Sequence, residues 1–395
     1  MRFLQFVSVV QIVATGALAI FSAGTATNLL PQGKSLVSSL DGAFSENELS
    51  DLGVWAAHNG MTLDEAARRF TGQMEFMRLA HEVELSQPEL FVEAEWFAGV
   101  EPHGILRVVG APTDSLRELL TQTKVDVTVE GGYRLSAQDF DNKLADIYFT
   151  VASAIGEENV TASGKPSAGA IEIVVAEHVR SEWEGALSLI VESVSPELAV
   201  AVSFAKFPQQ GGAEGIVGGR QWGQCTAGFS VRRGSVYGMT TAQHCRSVGL
   251  STAYQGTAMT SPSAPIELST SSGDIKWRRT VSVVADPLFQ AAAGTYRMVS
   301  STLNPFVGTA ICKYGVTTGQ TCSTVAVTSM CANGYCGLTR VFADISEPGD
   351  SGGPWFFGNT AMGIHHGTAA VGPYLYSAFT RIGGVNALNL LVLTG

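Results

Sequence analysis

EPGDSGGP, residues 347–354, is the stretch from which the rest of the chain can be read. A serine set between an aspartate and two glycines leaves the backbone open to close approach, because glycine adds no side chain. The N–H groups of Gly349 and Ser351 can converge there on an oxygen that gains negative charge during a reaction. A serine hydroxyl is weakly nucleophilic at its ordinary pKa and needs a base. Residues 215–395 contain three histidines: His244, His365 and His366. His244 lies in TTAQHC (240–245), after the alternating run 236–239 and beside Cys245, where a disulfide would hold the ring. It is the expected base. The base in turn needs a carboxylate to fix its tautomer and support its charge. Four aspartates follow Gly215. Asp350 belongs to the serine turn itself, Asp344 is close to the serine in sequence, and Asp286 precedes Pro287 as a turn residue would. Asp274, in SSGDIKW (271–277), falls between His244 and Ser351 beside an apolar strand and is the expected partner; Asp286 is the runner-up.

The chain has 395 residues, 45% of them apolar and 15% charged, with 44 glycines. That is enough for two domains with real cores, and it fits neither a long coiled coil nor a disordered tail. The net charge of −11 hides an asymmetry: residues 1–214 carry −16 and residues 215–395 carry +5. All six cysteines fall in the second stretch. The expected organisation is therefore a signal peptide over 1–26, an acidic segment over 27–214 and a catalytic domain over 215–395. Arg2, an apolar run over 4–21 and the small exit SAGTA (22–26) read as a secretory signal. A membrane anchor fits less well, given Gln11, Thr15 and that exit, and no later stretch reaches the ~18 apolar residues of a spanning helix. Export puts the cysteines in an oxidising space, where Cys225/Cys245, Cys312/Cys322 and Cys331/Cys336 are the nearest-neighbour pairing among several connectivities. Zinc is the competing use, but no CxxC occurs, so no metal or cofactor is expected. A net acidic chain also argues against nucleic acid as a partner.

Residues 41–165 read as α+β. Ser45 with Glu48 and Thr62 with Glu65 are capping boxes. Helices are expected to 70, over 74–90, 116–121 and 136–155, and strands over 91–100, 104–109, 125–129 and 170–176. After Gly215, short Val/Thr/Ser/Tyr runs between turn residues read as an all-β sandwich or barrel, with one helix over 385–393. The turn-rich stretch 208–219 separates the textures, as a linker or a processing site.

The order His244, Asp274, Ser351, with TTAQHC and GDSGGP, resembles the chymotrypsin-like serine peptidases, in particular the secreted bacterial branch of alpha-lytic protease and the streptogrisins. In that branch IVGG, as at 216–219, opens the mature chain, and a cysteine before the base histidine pairs with one just after it. AEWFAGV (94–100) and GILRVVGA (104–111) are similar to motifs of its acidic propeptides. The resemblance implies a double six-stranded antiparallel β-barrel with the triad in the cleft. It also implies a propeptide over 27–214 that aids folding and inhibits, and a secreted, monomeric endopeptidase acting on peptide or protein substrates. Asp350 would pair with an internal base after a cysteine, here Lys313 after Cys312.

The chain departs from the branch at three places. Gln243 stands where a glycine is usual, no cysteine follows Cys336 to brace the specificity pocket, and GIHHGT (363–368) replaces a strand that often carries Thr-Ser, whose serine supports the triad aspartate. By resemblance His365 falls on the pocket wall, where secreted relatives specific for glutamate place a histidine, and Thr368 can add a hydroxyl. Cleavage after glutamate agrees with the charge of +5 and with Glu214 immediately before Gly215; a broad apolar preference is the alternative. A non-catalytic binding protein of the same fold is the rival from another class, and a non-peptidase acyl hydrolase would carry its serine on a strand–helix elbow, whereas GDSGG here is followed by Pro354 and Trp355 in a β context.

Overall fold

The computed structural model describes residues 43–194, 198–207, 221–222, 225–245, 252–253, 257–260, 266–280 and 285–395. The signal segment, the turn-rich stretch 208–219 and the Glu214–Gly215 junction lie outside the described residues.

Local chemistry starts the first two helices. Ser45 and Thr62 each accept the N–H three residues on, while Glu48 and Glu65 accept the cap N–H, opening Glu46–His58 and Leu63–Phe70. Helix Gln73–Ser86 follows and ends before Gln87. Strands Phe91–Phe97, His103–Val109 and Val127–Tyr133 form a three-stranded sheet, its last pair parallel around helix Asp114–Thr121. Helix Ala137–Ile155 is capped by Ser136. Strand Val160–Lys165, helix Arg180–Val194 and strand Ala199–Ala205 were not legible in sequence. Their partners explain why. Val160–Lys165 joins a strand of the C-terminal half, Gly319–Ala332, with Cys331 opposite Ala162.

From Gln221 onward the described structure is mostly strand. One sheet orders Thr252–Ala253, Thr257–Thr260, Lys276–Thr280, Val236–Thr241, Ser230–Arg233 and Leu391–Val392, with Ile266–Glu267 on its third member. A second runs Ala310–Gly315, Pro354–Phe357, Thr360–Val371, Tyr374–Arg381, Tyr335–Val341 and Gly319–Ala332. Gly319–Ala332 pairs back onto Ala310–Gly315, closing that run into a ring. It also carries Val160–Lys165, Ala170–Ala176 and Ala199–Ala205 outward from the ring.

The helix expected over 385–393 is instead a short helix, Gly383–Ala387, followed by strand Leu391–Val392. Asn389, at φ 57°, turns the chain so that Leu391 and Val392 pair with Arg232 and Val231. A continuous core runs through both textures, from Leu52, Trp55 and Phe70 to Phe229, Phe289 and Trp355. Among the described residues no helix is long and apolar enough to cross a membrane.

Candidate active site

Three segments far apart in sequence meet beside Ser351. His244 follows strand Val236–Thr241, and the Cys225–Cys245 disulfide ties the chain just after it. Lys276, buried, donates from Nζ to the carbonyls of Gln243 and Cys245, so the histidine loop is held on both sides. Asp274 precedes strand Lys276–Thr280 and donates its N–H to Thr380 Oγ1 at 2.9 Å. Ser351 sits in a tight turn in which Gly349 (φ 106°) and Gly352 (φ 87°) take backbone that L side chains avoid. A Cβ on Gly352 would also strike Thr241 and Thr226. Thr226 closes the turn from outside, its N–H donating to Ser351 O at 2.6 Å and its hydroxyl to Gly349 O at 2.8 Å.

The side chains form a line. Ser351 Oγ is 3.0 Å from His244 Nε2, and His244 Nδ1 is 2.5 Å from Asp274 Oδ2. The other carboxylate oxygen of Asp274 accepts the His244 N–H at 3.0 Å. Asp274 is fully buried. Burial pushes its carboxyl up, but the charge and hydrogen bonds of His244 and His366 outweigh it and hold the group well below the usual carboxylate range. The runner-up, Asp286, is exposed, and Asp344 is engaged by Ser377 and Thr368 at 3.0 and 3.3 Å.

The N–H groups of the serine turn are divided. Asp350 donates to Glu347 O, Gly352 to His365 O and Gly353 to Asp350 O. The N–H groups of Gly349 and Ser351 have no backbone acceptor among the described residues. Below them Asp350 is fully buried against Lys313, at 2.8 Å, and it also accepts from Thr317 N–H, Thr318 N–H and Thr318 Oγ1. Burial pushes Asp350 up; the charge and hydrogen bond of Lys313, with the Thr318 hydroxyl, pull it further down and keep it ionised. Thr317 and Thr318 had no sequence signal beyond their place in the hairpin after Lys313. A methionine at Lys313 would leave Asp350 buried without a counter-charge. Such pairs cost about 3–5 kcal/mol to break, so Lys313→Met should lower unfolding free energy by about that much in urea titration. Adding Asp350→Asn should recover part of it, whereas a Lys313→Met protein as stable as wild type would mean that the pair contributes nothing.

His365 and His366 diverge at a bulge in strand Thr360–Val371. His365 is 1% exposed, and its Nδ1 accepts the Trp355 indole N–H at 3.2 Å. Burial, reinforced by Lys313, holds it well below the usual histidine pKa, so the ring is neutral with its proton on Nε2. His366 turns the other way, with Nδ1 2.7 Å from Asp274 Oδ2 and Nε2 3.3 Å from Asn333 Nδ2. The departure at this strand thus puts an imidazole where relatives often have a serine. Thr368 is half-buried.

All six cysteines are paired: Cys225–Cys245, Cys312–Cys322 and Cys331–Cys336. Cys331–Cys336 ties the hairpin that carries Asn333 and Tyr335, whose ring is 5.5 Å from that of His366. Cys225 and Cys245, bonded to each other, offer no thiolate beside His244. His244, Asp274 and His366 bring ligand-type atoms within 4.8 Å of one another. A metal there would have to displace the two protons that Asp274 Oδ2 accepts.

No protein-family model matches the chain. Serine protease 2 of Streptomyces fradiae is 32% identical over 154 residues, covering 37% of this chain and 87% of that protein. Glutamyl endopeptidase 2 of Streptomyces griseus is 31% identical over 163 residues, covering 40% of this chain and 85% of that protein. The chain belongs to the streptogrisin-type bacterial serine proteases. Streptogrisin-C of Streptomyces griseus, another relative in this family, is 33% identical over 156 residues, which is 37% of this chain. The chain spans only 32% of streptogrisin-C, and just over half, 52% and 56%, of two other curated relatives.

Proposed function

We propose that the chain is a secreted serine endopeptidase made as a zymogen, hydrolysing peptide bonds in peptide or protein substrates. The observation that carries this reading is the line Ser351 Oγ–His244–Asp274, with links of 3.0 and 2.5 Å. Ser351 Oγ attacks the scissile carbonyl as His244 Nε2 takes its proton, and Asp274 supports the imidazolium that forms. The oxyanion is received by the N–H groups of Gly349 and Ser351. His244 then gives the proton to the leaving amine, and water resolves the acyl-enzyme by the same steps. In this reading the two catalytic sheets are paired six-stranded barrels with the triad between them. Residues 1–26 are a signal peptide, and 27–214 are a propeptide that is removed after assisting folding. Labelling of the secreted form by a fluorophosphonate, absent from Ser351→Ala, tests it. A wild-type protein that takes no label would favour a non-catalytic binding role.

For specificity we propose cleavage after glutamate. His365, neutral with its proton on Nε2, has one N–H to offer a substrate carboxylate, and Thr368 a hydroxyl. The relative named as a glutamyl endopeptidase and the charge of +5 over residues 215–395 point the same way. A broad apolar preference is the second reading. It is favoured by the packing of His365 against Trp355, which stacks on Phe379 at 4.4 Å between ring centres. Peptides with Glu, Gln, Phe or Leu before the scissile bond separate the two. Glutamate should lead by at least tenfold in kcat/KM, as a polar site that is left unmatched discriminates strongly, and His365→Ala should erase most of that lead. Preference for Phe or Leu in the wild type would overturn the assignment.

A further inference from the structure

We propose that His366 is a positioning residue of the triad, holding Asp274 alongside His244 and competing with His244 for the same carboxylate oxygen. The inference rests on the serine peptidase reading above. Asp274 Oδ2 lies 2.5 Å from His244 Nδ1 and 2.7 Å from His366 Nδ1. Both rings must therefore carry a proton on Nδ1, which fixes the tautomer of His366 and leaves its Nε2 as an acceptor. Asn333 Nδ2 lies 3.3 Å from that Nε2 and can donate to it.

Asn333 is held in place. It occupies left-handed backbone (φ 53°) beside Gly334 (φ 81°) at the tip of a hairpin closed by Cys331–Cys336. The Gly334 N–H donates to Tyr148 Oη at 2.8 Å, and Ala332 pairs with Thr161. The second imidazole is thus braced from the hairpin and, through it, from residues of the N-terminal half.

A hydroxyl in the place of His366 could donate to Asp274 but could not gain a proton. An imidazole can. A second proton on His366 Nε2 makes the ring cationic, draws on the Asp274 charge and opposes the positive charge that His244 must acquire in the transition state. The two ring centres are 5.6 Å apart. Unit charges at that separation, at an effective dielectric of about 20, disfavour each other on the order of 10²-fold. The other titratable or charged groups around His366 are Tyr335 on the hairpin and His365 next along its own strand. Behind His365 lies the Lys313–Asp350 pair, and Glu157 approaches the hairpin at Gly334. Arg340, on the neighbouring strand, stacks on Tyr376.

The acid limb of kcat/KM should therefore report protonation of two imidazoles that share one carboxylate, a coupled pair. In the mature wild-type enzyme the fall should spread over more than about two pH units, because each proton disfavours the other, and should not settle to one tenfold-per-unit line. His366→Ser should reduce it to a single protonation, tenfold per unit, with the loss at the optimum in kcat and not in KM. Asn333→Asp leaves the triad intact but sets a carboxylate on Nε2. It should move the acid limb to higher pH by about one unit or more, opposite to any shift in His366→Ser, and it keeps the test open if His366→Ser fails to fold. Fluorophosphonate titration of Ser351 accompanies each profile. Wild-type protein that takes no label defeats the peptidase reading; labelled proteins with acid limbs of the same slope and midpoint defeat the role of His366.

Discussion

Ser351→Ala and His244→Ala will each lower kcat on a chromogenic peptide by on the order of 10⁶-fold, and the double variant will lose little more. The reason is geometric. At 3.0 Å from Ser351 Oγ, His244 Nε2 is the proton acceptor in hydrogen-bond reach of the hydroxyl, and Asp274 fixes that ring through Nδ1. Removing either member leaves the other without a task, so the effects do not add. Catalysis should not vanish, because the Gly349 and Ser351 N–H groups survive both substitutions. A remainder of roughly 10³–10⁴ over water is the usual legacy of an oxyanion site and substrate binding. Asp274→Asn should sit between these limits, since it keeps the shape of the side chain but offers His244 the wrong partner. The folded state of each variant is checked by its retained disulfides and near-UV dichroism. A well-folded Ser351→Ala protein with near-normal turnover would remove Ser351 from the chemistry.

The three side chains that meet at Ser351 could be picked out in the sequence because chemistry limits the choice: one serine in GDSGGP, three histidines and four aspartates after Gly215. Their contacts were less so. That His366 reaches Asp274 depends on the bulge between His365 and Gly367, and a register shift of that kind leaves no mark on composition or periodicity. Lys276 is a further example. Its place in SSGDIKW reads as an ordinary strand residue, yet its ammonium is spent on two carbonyls around His244. Helix starts at Ser45 and Thr62 could be read because a capping box is closed within four residues. Strand Val160–Lys165 could not, because VTASGK is short and polar and acquires its strand character from Ser329–Ala332, far along the chain. The C-terminal helix is shorter than its apolar run suggests for a related reason: Leu391 and Val392 satisfy their backbone on strand Ser230–Arg233 instead.

Refolded without the preceding segment, residues 215–395 will recover little peptidase activity, and adding residues 27–214 as a separate chain will restore it. Strands whose partners are remote in sequence form slowly, because the loop must close before any contact rewards it. The N-terminal half offers a template for that step. Val160–Lys165 pairs along Ser329–Ala332 and continues the sheet into Ala170–Ala176 and Ala199–Ala205. The opposing charges of −17 over residues 27–214 and +5 over residues 215–395 draw the two parts together. Ion pairs then fix the docking: buried Asp51 accepts from Arg297, Gln320 and the Gly358 N–H, and half-buried Glu84 accepts from Arg381 and Asn304. Asp51→Ala should weaken rescue most, because Arg297 would be left buried without its carboxylate. A cost of about 3–5 kcal/mol corresponds to roughly 10²–10⁴-fold more segment for half-maximal recovery. Burial pushes the Asp51 carboxyl up to about 6, from 3.8, despite Arg297. A raised folded-state pKa makes its contribution largest below about 4 and smaller as pH climbs to about 6, with no further change above. Rescue measured at pH 7.5–8 therefore compares an ionised Asp51 with alanine, free of titration. Full activity from residues 215–395 alone would mean that the sheet closes without its template, and would leave the N-terminal half as an inhibitor at most.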